Sequence, residues 1–189
     1  MKKRDFTLVE LLAVTALIAI LAGIGFAAFS YASNRGREAA TKSLITRVGA
    51  GLESVRTKHG AFPVSTGGAY GDIVVTVNAS GIVTGITFGG SALSAKQLKT
   101  FLTVCDGESL KKNLDGSDNV TDAWGGKIQY CSPGKINTIK FDLVAPGPDE
   151  KFGTAKASVP PATAPSGKTV LDNYKTDGEW ACDDIANFD

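Results

Sequence analysis

The sequence predicts an α+β protein in which a long N-terminal helix packs on an antiparallel β-sheet. Three observations predict it. A basic stub runs into one long apolar stretch, residues 30–59 carry apolar positions at helical spacing, and beyond Gly60 the spacing changes to that of strands. The segments are then 1–5, a leader; 6–29, an apolar helix; 30–59, an amphipathic helix; and 60–189, one modest β-rich domain.

The apolar stretch decides the first element. From Phe6 to Phe29 there are 24 residues with one formal charge, Glu10. As a helix they span about 36 Å, enough to cross a bilayer. Lys2, Lys3 and Arg4 precede the stretch, and basic flanks stay cytoplasmic, so the remainder is expected on the far side. A cleaved signal peptide is the alternative, with Phe29-Ser30-Tyr31-Ala32-Ser33 offering small residues. The stretch exceeds the usual apolar region of about 7–15 residues, and helical patterning resumes directly after it. An acid in hydrocarbon costs about 2–3 kcal/mol and marks a functional position by default. Glu10 therefore calls for a cation, and a chain cut before Phe6 would create one as a new α-amino group. Snorkelling to the interface from the first helical turn is the plainer account of Glu10.

Residues 30–59 continue the helix with a different surface. Ala40, Leu44, Val48, Leu52 and Val55 follow steps of four, four, four and three and share one stripe. Arg35, Arg37, Lys42, Arg47, Arg56 and Lys58 fall mostly on other faces. Gly60 and Pro63 mark the stop.

Next, Ile73–Val77 and Ile82–Phe88 are β-rich runs joined by Asn78-Ala79-Ser80-Gly81, which reads as a hairpin. Ser94 is a helix cap candidate ahead of Leu98, Phe101, Leu102 and Cys105. Residues 106–122 read as loop. Lys127–Cys131 and Thr138–Val144 read as strands joined by Ser132-Pro133-Gly134. Val159–Gly167 is a Pro/Ala/Ser loop, and the tail from Gly178 regains apolar anchors that predict docking.

Charge and motifs exclude several functions. Residues 1–59 hold nine Lys/Arg against four Asp/Glu, +5, and residues 60–189 hold eleven against fifteen, −4. The acidic second part gives no basic surface for nucleic acid. No GxSxG, P-loop or dinucleotide-type glycine pattern is present, and His59 is the only histidine, so no catalytic residue is assigned and the expectation is a chain that is not an enzyme. Cys105, Cys131 and Cys182 allow three pairings, among which spacing does not choose; the preferred reading pairs Cys131 with Cys182 and leaves Cys105 free.

The basic leader, then Phe6-Thr7-Leu8-Val9-Glu10, then an apolar helix, resembles the class III leader of type IV pilins and of the pseudopilins of type II secretion. The resemblance implies that a prepilin peptidase cuts between Asp5 and Phe6 and methylates the new amine of Phe6, and that Glu10 pairs with that amine during filament assembly. The family usually has Gly where this chain has Asp5, and Pro where it has Ala27. Asp122-Ala123-Trp124-Gly125-Gly126, Ile128-Gln129-Tyr130, Ser132-Pro133-Gly134, Gly147-Pro148-Asp149 and Asp183–Phe188 are similar, in order, to pieces of the major (G-type) pseudopilin of type II secretion. With the leader, the likeness covers about half the chain, and residues 65–100 and 153–178 stand as insertions.

That likeness implies a type IV pilin-like fold and a calcium ion held by Asp149 with Asp183 or Asp184, a suitable mixture of carboxylates and loop carbonyls for a cation that takes six to eight oxygens. It implies a homopolymeric helical filament that pushes or gates secreted proteins. Before assembly the subunit would sit in bacterial inner-membrane lipid with its C-terminal domain outside the cytoplasm, meeting an assembly platform and the peptidase. A type IV pilus for adhesion, twitching or DNA uptake, and an anchored domain that never polymerises, are the alternatives.

Overall fold

The computed structural model describes residues 8–134, 137–149, 152 and 185–187, without the side chains at 24, 25, 27, 28 and 149. The chain is α+β: an N-terminal helix and a six-stranded antiparallel sheet. It divides into two units, residues 1–36 and 37–189. Helix α1, Leu8–His59, runs for 52 residues and belongs to both.

In the first unit α1 shows apolar side chains on every side. Leu8, Leu12, Leu17, Leu21, Phe26 and Phe29 are all exposed. Tyr31 and Arg35 close this unit's described contacts, the guanidinium lying 5.5 Å from the ring centre.

In the second unit the helix becomes one-sided. Leu44, Ile45, Val48, Leu52 and Val55 are buried in one cluster with Ile73, Val75, Phe88, Phe101, Tyr130 and Leu143. This is the stripe that the sequence spacing predicts, with one correction. Ala40 is not part of it: the residue is exposed, and Thr41 and Ile45 take the inward places.

Strands β1, Gly71–Val77, and β2, Val83–Phe88, form the expected hairpin, with Val75 opposite Ile86. A short β3, Ser91–Ala92, folds back on β2. Helix α2, Ala95–Val104, starts where Ser94 and Gln97 cap each other, Ser94 N donating to Gln97 Oε1 at 2.9 Å. Helix α3, Gly107–Lys111, interrupts what the sequence reads as loop. Its polar residues hide the one that matters, Leu110, which is buried.

The sheet order is β3-β2-β1-β4-β5-β6, where β4 is Gln129–Cys131, β5 is Asp142–Ala145 and β6 is Ile185–Ala186. The sequence reading starts the fifth strand at Thr138, and the structure starts it at Asp142. Residues 137–140 instead form a turn, Lys140 N donating to Asn137 O, and Ile139 is 86% exposed. The buried Asp142 carboxylate accepts from Asn137 N at 2.9 Å and so closes this turn.

Aromatic rings tie the layers together. Phe88 meets Phe101 at 5.4 Å and Tyr130 at 5.2 Å, both edge to face. Tyr130 donates to Pro63 O at 2.6 Å, which holds the chain leaving α1 against β4. Burial pushes the Tyr130 hydroxyl well above its ordinary range.

Two helix glycines make opposite predictions. A Cβ at Gly51 would lie 2.6 Å from Phe101 Cε2, inside the packed core, whereas one at Gly49 would rest 3.7 Å from Phe141 Cζ. Gly51→Ala is expected to destabilise the fold by about 1–3 kcal/mol through overpacking, and Gly49→Ala to be neutral or to stabilise by up to about 1 kcal/mol through helix propensity. Thermal unfolding of the two variants in detergent, followed by circular dichroism, measures both.

Candidate functional site

The first candidate position, Glu10, lies in the first turn of α1 and is exposed. An acid there also complements the partial positive charge of a helix N-terminus. Asp5 and Phe6 lie outside the described residues. Among the described residues no helix is long and apolar enough to cross a membrane. The apolar stretch read from the sequence includes Phe6, Thr7 and the side chains at 24, 25, 27 and 28, which fall outside that description.

The second position is the junction of the 121–126 loop, the end of β5 and β6. Asp122 organises it. This residue is 4% exposed, and its Oδ1 accepts from Trp124 N at 2.9 Å and Gly126 N at 2.8 Å. Its Oδ2 accepts from Gly147 N at 3.1 Å. One carboxylate thus fixes its own turn and the chain that leaves β5. Gly126 has no room for a side chain, because a Cβ would fall 2.3 Å from Pro146 Cγ. Thr41 Oγ1 accepts from Ala123 N at 3.1 Å and fastens the same loop to α1.

From the other side, Asn187 extends β6 with its side chain. Its Oδ1 accepts from Leu143 N at 2.7 Å and its Nδ2 donates to Phe141 O at 3.1 Å. Ala145 pairs with Ile185 and Val144 with Ala186. Asp149 ends a 3-10 turn, Gly147–Asp149, at this point. Asp183 and Asp184 lie outside the described residues, and among the described residues no three His, Cys, Asp or Glu groups gather as a metal site.

Cys105 is a buried free thiol, and Cys131 is buried at the end of β4. Burial pushes the Cys105 pKa up to about 11, against the lowering influence of Arg47, so this thiol is unreactive. Cys182 lies outside the described residues. Tyr70 donates to Asp142 Oδ2 at 2.9 Å; burial, then the Asp142 charge, push its hydroxyl far above the usual range.

A groove beside α1 is lined by Lys42, Glu53, Asn137, Lys140, Phe141 and Asn187. Glu53 pairs there with Lys140 at 3.0 Å, and Lys42 pairs with Glu38 at 3.1 Å.

Asp122, Thr41 and Asn187 are the site residues that sequence reasoning left without roles. A signal for Asp122 exists, since an acid two to four residues ahead of glycines is the pattern of an Asx turn. Nothing in the sequence pairs Thr41 with residue 123. No protein-family model matches the chain, and no curated protein and no solved structure matches it.

Burial pushes the Asp122 carboxyl above its ordinary 3.8, outweighing the N–H groups of Trp124, Gly126 and Gly147 that lower it. The folded chain therefore holds this proton more tightly than the unfolded chain. Its stabilising contribution is complete below pH 3.8 and fades as pH rises through the folded value. In Asp122→Asn an amide NH₂ would face a backbone N–H, leaving a buried donor unmet at a cost of about 1–3 kcal/mol. Unfolding of the two proteins across acid pH is expected to show the variant less stable at neutral pH and without this proton-linked component.

Proposed function

We propose that this chain is the structural subunit of a type IV pilin-like helical filament, the pseudopilus of a type II protein secretion system. The pattern Phe6-Thr7-Leu8-Val9-Glu10 at the head of a helix that continues unbroken to His59 carries the reading. The α+β architecture, with a helix stripe buried in the core of an antiparallel sheet, supports it. A peptidase removes residues 1–5 and methylates the Phe6 amine, and Glu10 of one subunit pairs with that amine on its neighbour. Before assembly, residues 6–29 lie in the bacterial inner membrane as a single span. Afterwards they form the filament core, since apolar side chains exposed around a whole helix need either lipid or other helices. Head-to-tail contacts of this kind produce open filaments. The role is mechanical and not enzymatic.

Calcium fits the junction described above. Asp149 with Asp183 or Asp184 would hold it, and the pairing of Ala145, four residues before Asp149, with Ile185, next in sequence to Asp184, supports this. A bound ion there would tie the C-terminal tail to the sheet. The β1–β2 hairpin and β3, an elaboration of the likeness to pseudopilins, favour a surface pilus as the second reading.

Intact mass of the protein from its natural host is expected to correspond to a chain beginning at N-methylated Phe6. A chain beginning at Met1, or near Ser33, defeats the filament reading. Glu10→Ala is expected to abolish polymers, counted by electron microscopy, while leaving the subunit's thermal unfolding unchanged. Adding calcium to chelator-treated protein is expected to raise the melting temperature, and Asp149→Ala to remove that rise.

A further inference from the structure

The pattern Asn-X-Ser/Thr, the acceptor sequence for N-linked glycans, occurs twice in the chain: Asn78-Ala79-Ser80 and Asn119-Val120-Thr121. The fold treats the two in opposite ways. Asn119 is 5% exposed, and its Nδ2 donates to Asp115 Oδ1 at 3.2 Å and Oδ2 at 2.9 Å. Val120 and Thr121 are buried, and the Thr121 hydroxyl donates to Asn113 O at 3.2 Å. No enzyme reaches that nitrogen in the folded chain.

Asn78, Ala79 and Ser80 are exposed at the tip of the β1–β2 hairpin. The Asn78 side chain is held by its oxygen only: Oδ1 accepts from Ser80 N at 3.0 Å and from Ile82 N at 2.8 Å. Among the described residues Nδ2 has no acceptor, and the residue is exposed, while the turn fixes the oxygen. The Ser80 hydroxyl, the second recognition group, is exposed two residues away. The tip is braced from below, Lys111 Nζ donating to Gly81 O at 2.5 Å. Neighbouring Ile82 is 61% exposed, an apolar group that an attached sugar would cover.

We propose that Asn78 is an N-glycosylation site. The proposal rests on the export of residues 37–189 in the reading above, because the lipid-pyrophosphate-linked glycan that serves as donor is used on the exported side. In the step, Nδ2 forms a bond to the anomeric carbon of the donor. The bond from that carbon to the phosphate oxygen breaks, the pyrophosphate leaves with the electron pair, and Nδ2 gives up one proton to a base. Asn78 keeps its remaining N–H and its oxygen, so the turn bonds to Ser80 N and Ile82 N survive the modification.

Tryptic digestion separates the relevant positions. Cleavage after Lys58 and Lys96 yields peptide 59–96 with Asn78, cleavage after Lys112 and Lys127 yields 113–127 with Asn119, and the N-terminal region up to Arg35 falls in a third. Mass spectrometry of the full protein from its natural host, with fragmentation that preserves glycans, is expected to find hexose-type adducts on Asn78 in peptide 59–96 and a bare 113–127. Ser80→Ala is expected to reduce the modified fraction at least about tenfold, and Ser80→Thr to keep it. A bare 59–96 peptide, an adduct on another residue, or an adduct that persists in Ser80→Ala overturns the proposal. The N-terminal peptide reports prepilin processing independently. Methylated Phe6 with a bare Asn78 defeats only the glycan, and an uncut N-terminus with a modified Asn78 defeats only the filament.

Discussion

The fold of residues 37–189 depends on one contact: the stripe Leu44, Val48, Leu52 and Val55 of α1 buried in one core with Phe88, Phe101, Tyr130 and Leu143. Each such side chain contributes about 1.5–3 kcal/mol by leaving water, and an antiparallel sheet with one dry face needs a cover of this kind. The closeness of the packing shows at Gly51, where a single added carbon would collide with Phe101. Elements that the sheet adds later in the chain are held to this core through named side chains. Tyr130 reaches back to Pro63, Ser65 Oγ donates to Ser132 O at 3.2 Å, and Thr41 receives the 121–126 loop.

Local pattern made much of this legible. The α1 stripe, the β1–β2 hairpin and the Ser94 cap of α2 each announce themselves within about ten residues, because periodicity and capping are local effects. What the sequence does not reveal depends on partners far along the chain. Thr138–Phe141 has strand composition, yet Asp142 accepts the Asn137 N–H and Tyr70 reaches that same carboxylate from another loop. A buried acid with two such partners overrides β propensity. Residues Ser91 and Ala92 form β3 only because β2 lies beside them. For β6, the two strand residues are too few to show period two, although the tail's apolar anchors do predict that it docks.

The same distinction separates the two acids that matter. Glu10 is conspicuous in sequence, a lone charge in 24 residues, and the role proposed for it depends on a neighbouring subunit. Asp122 is inconspicuous in sequence and decisive in the fold, since three backbone N–H groups from two separate loops converge on it. Backbone donors satisfy a buried carboxylate without supplying a counter-charge, so desolvation still dominates and its proton affinity rises. An ion pair would have lowered it.

Asp122 also bears on the proposed calcium site. A loop that binds a hard cation must bring several oxygens together, and every residue ordered beforehand lowers the entropic cost of binding. Here Asp122 already fixes Gly147, while Asn187 extends β6 with side-chain hydrogen bonds to Phe141 and Leu143. Both borders of the proposed site are therefore set by the protein alone. An ion bound there by the folded chain and not by the unfolded one would stabilise the cooperative unit as a whole by mass action, which is why the expected gain is read as a rise in its melting temperature.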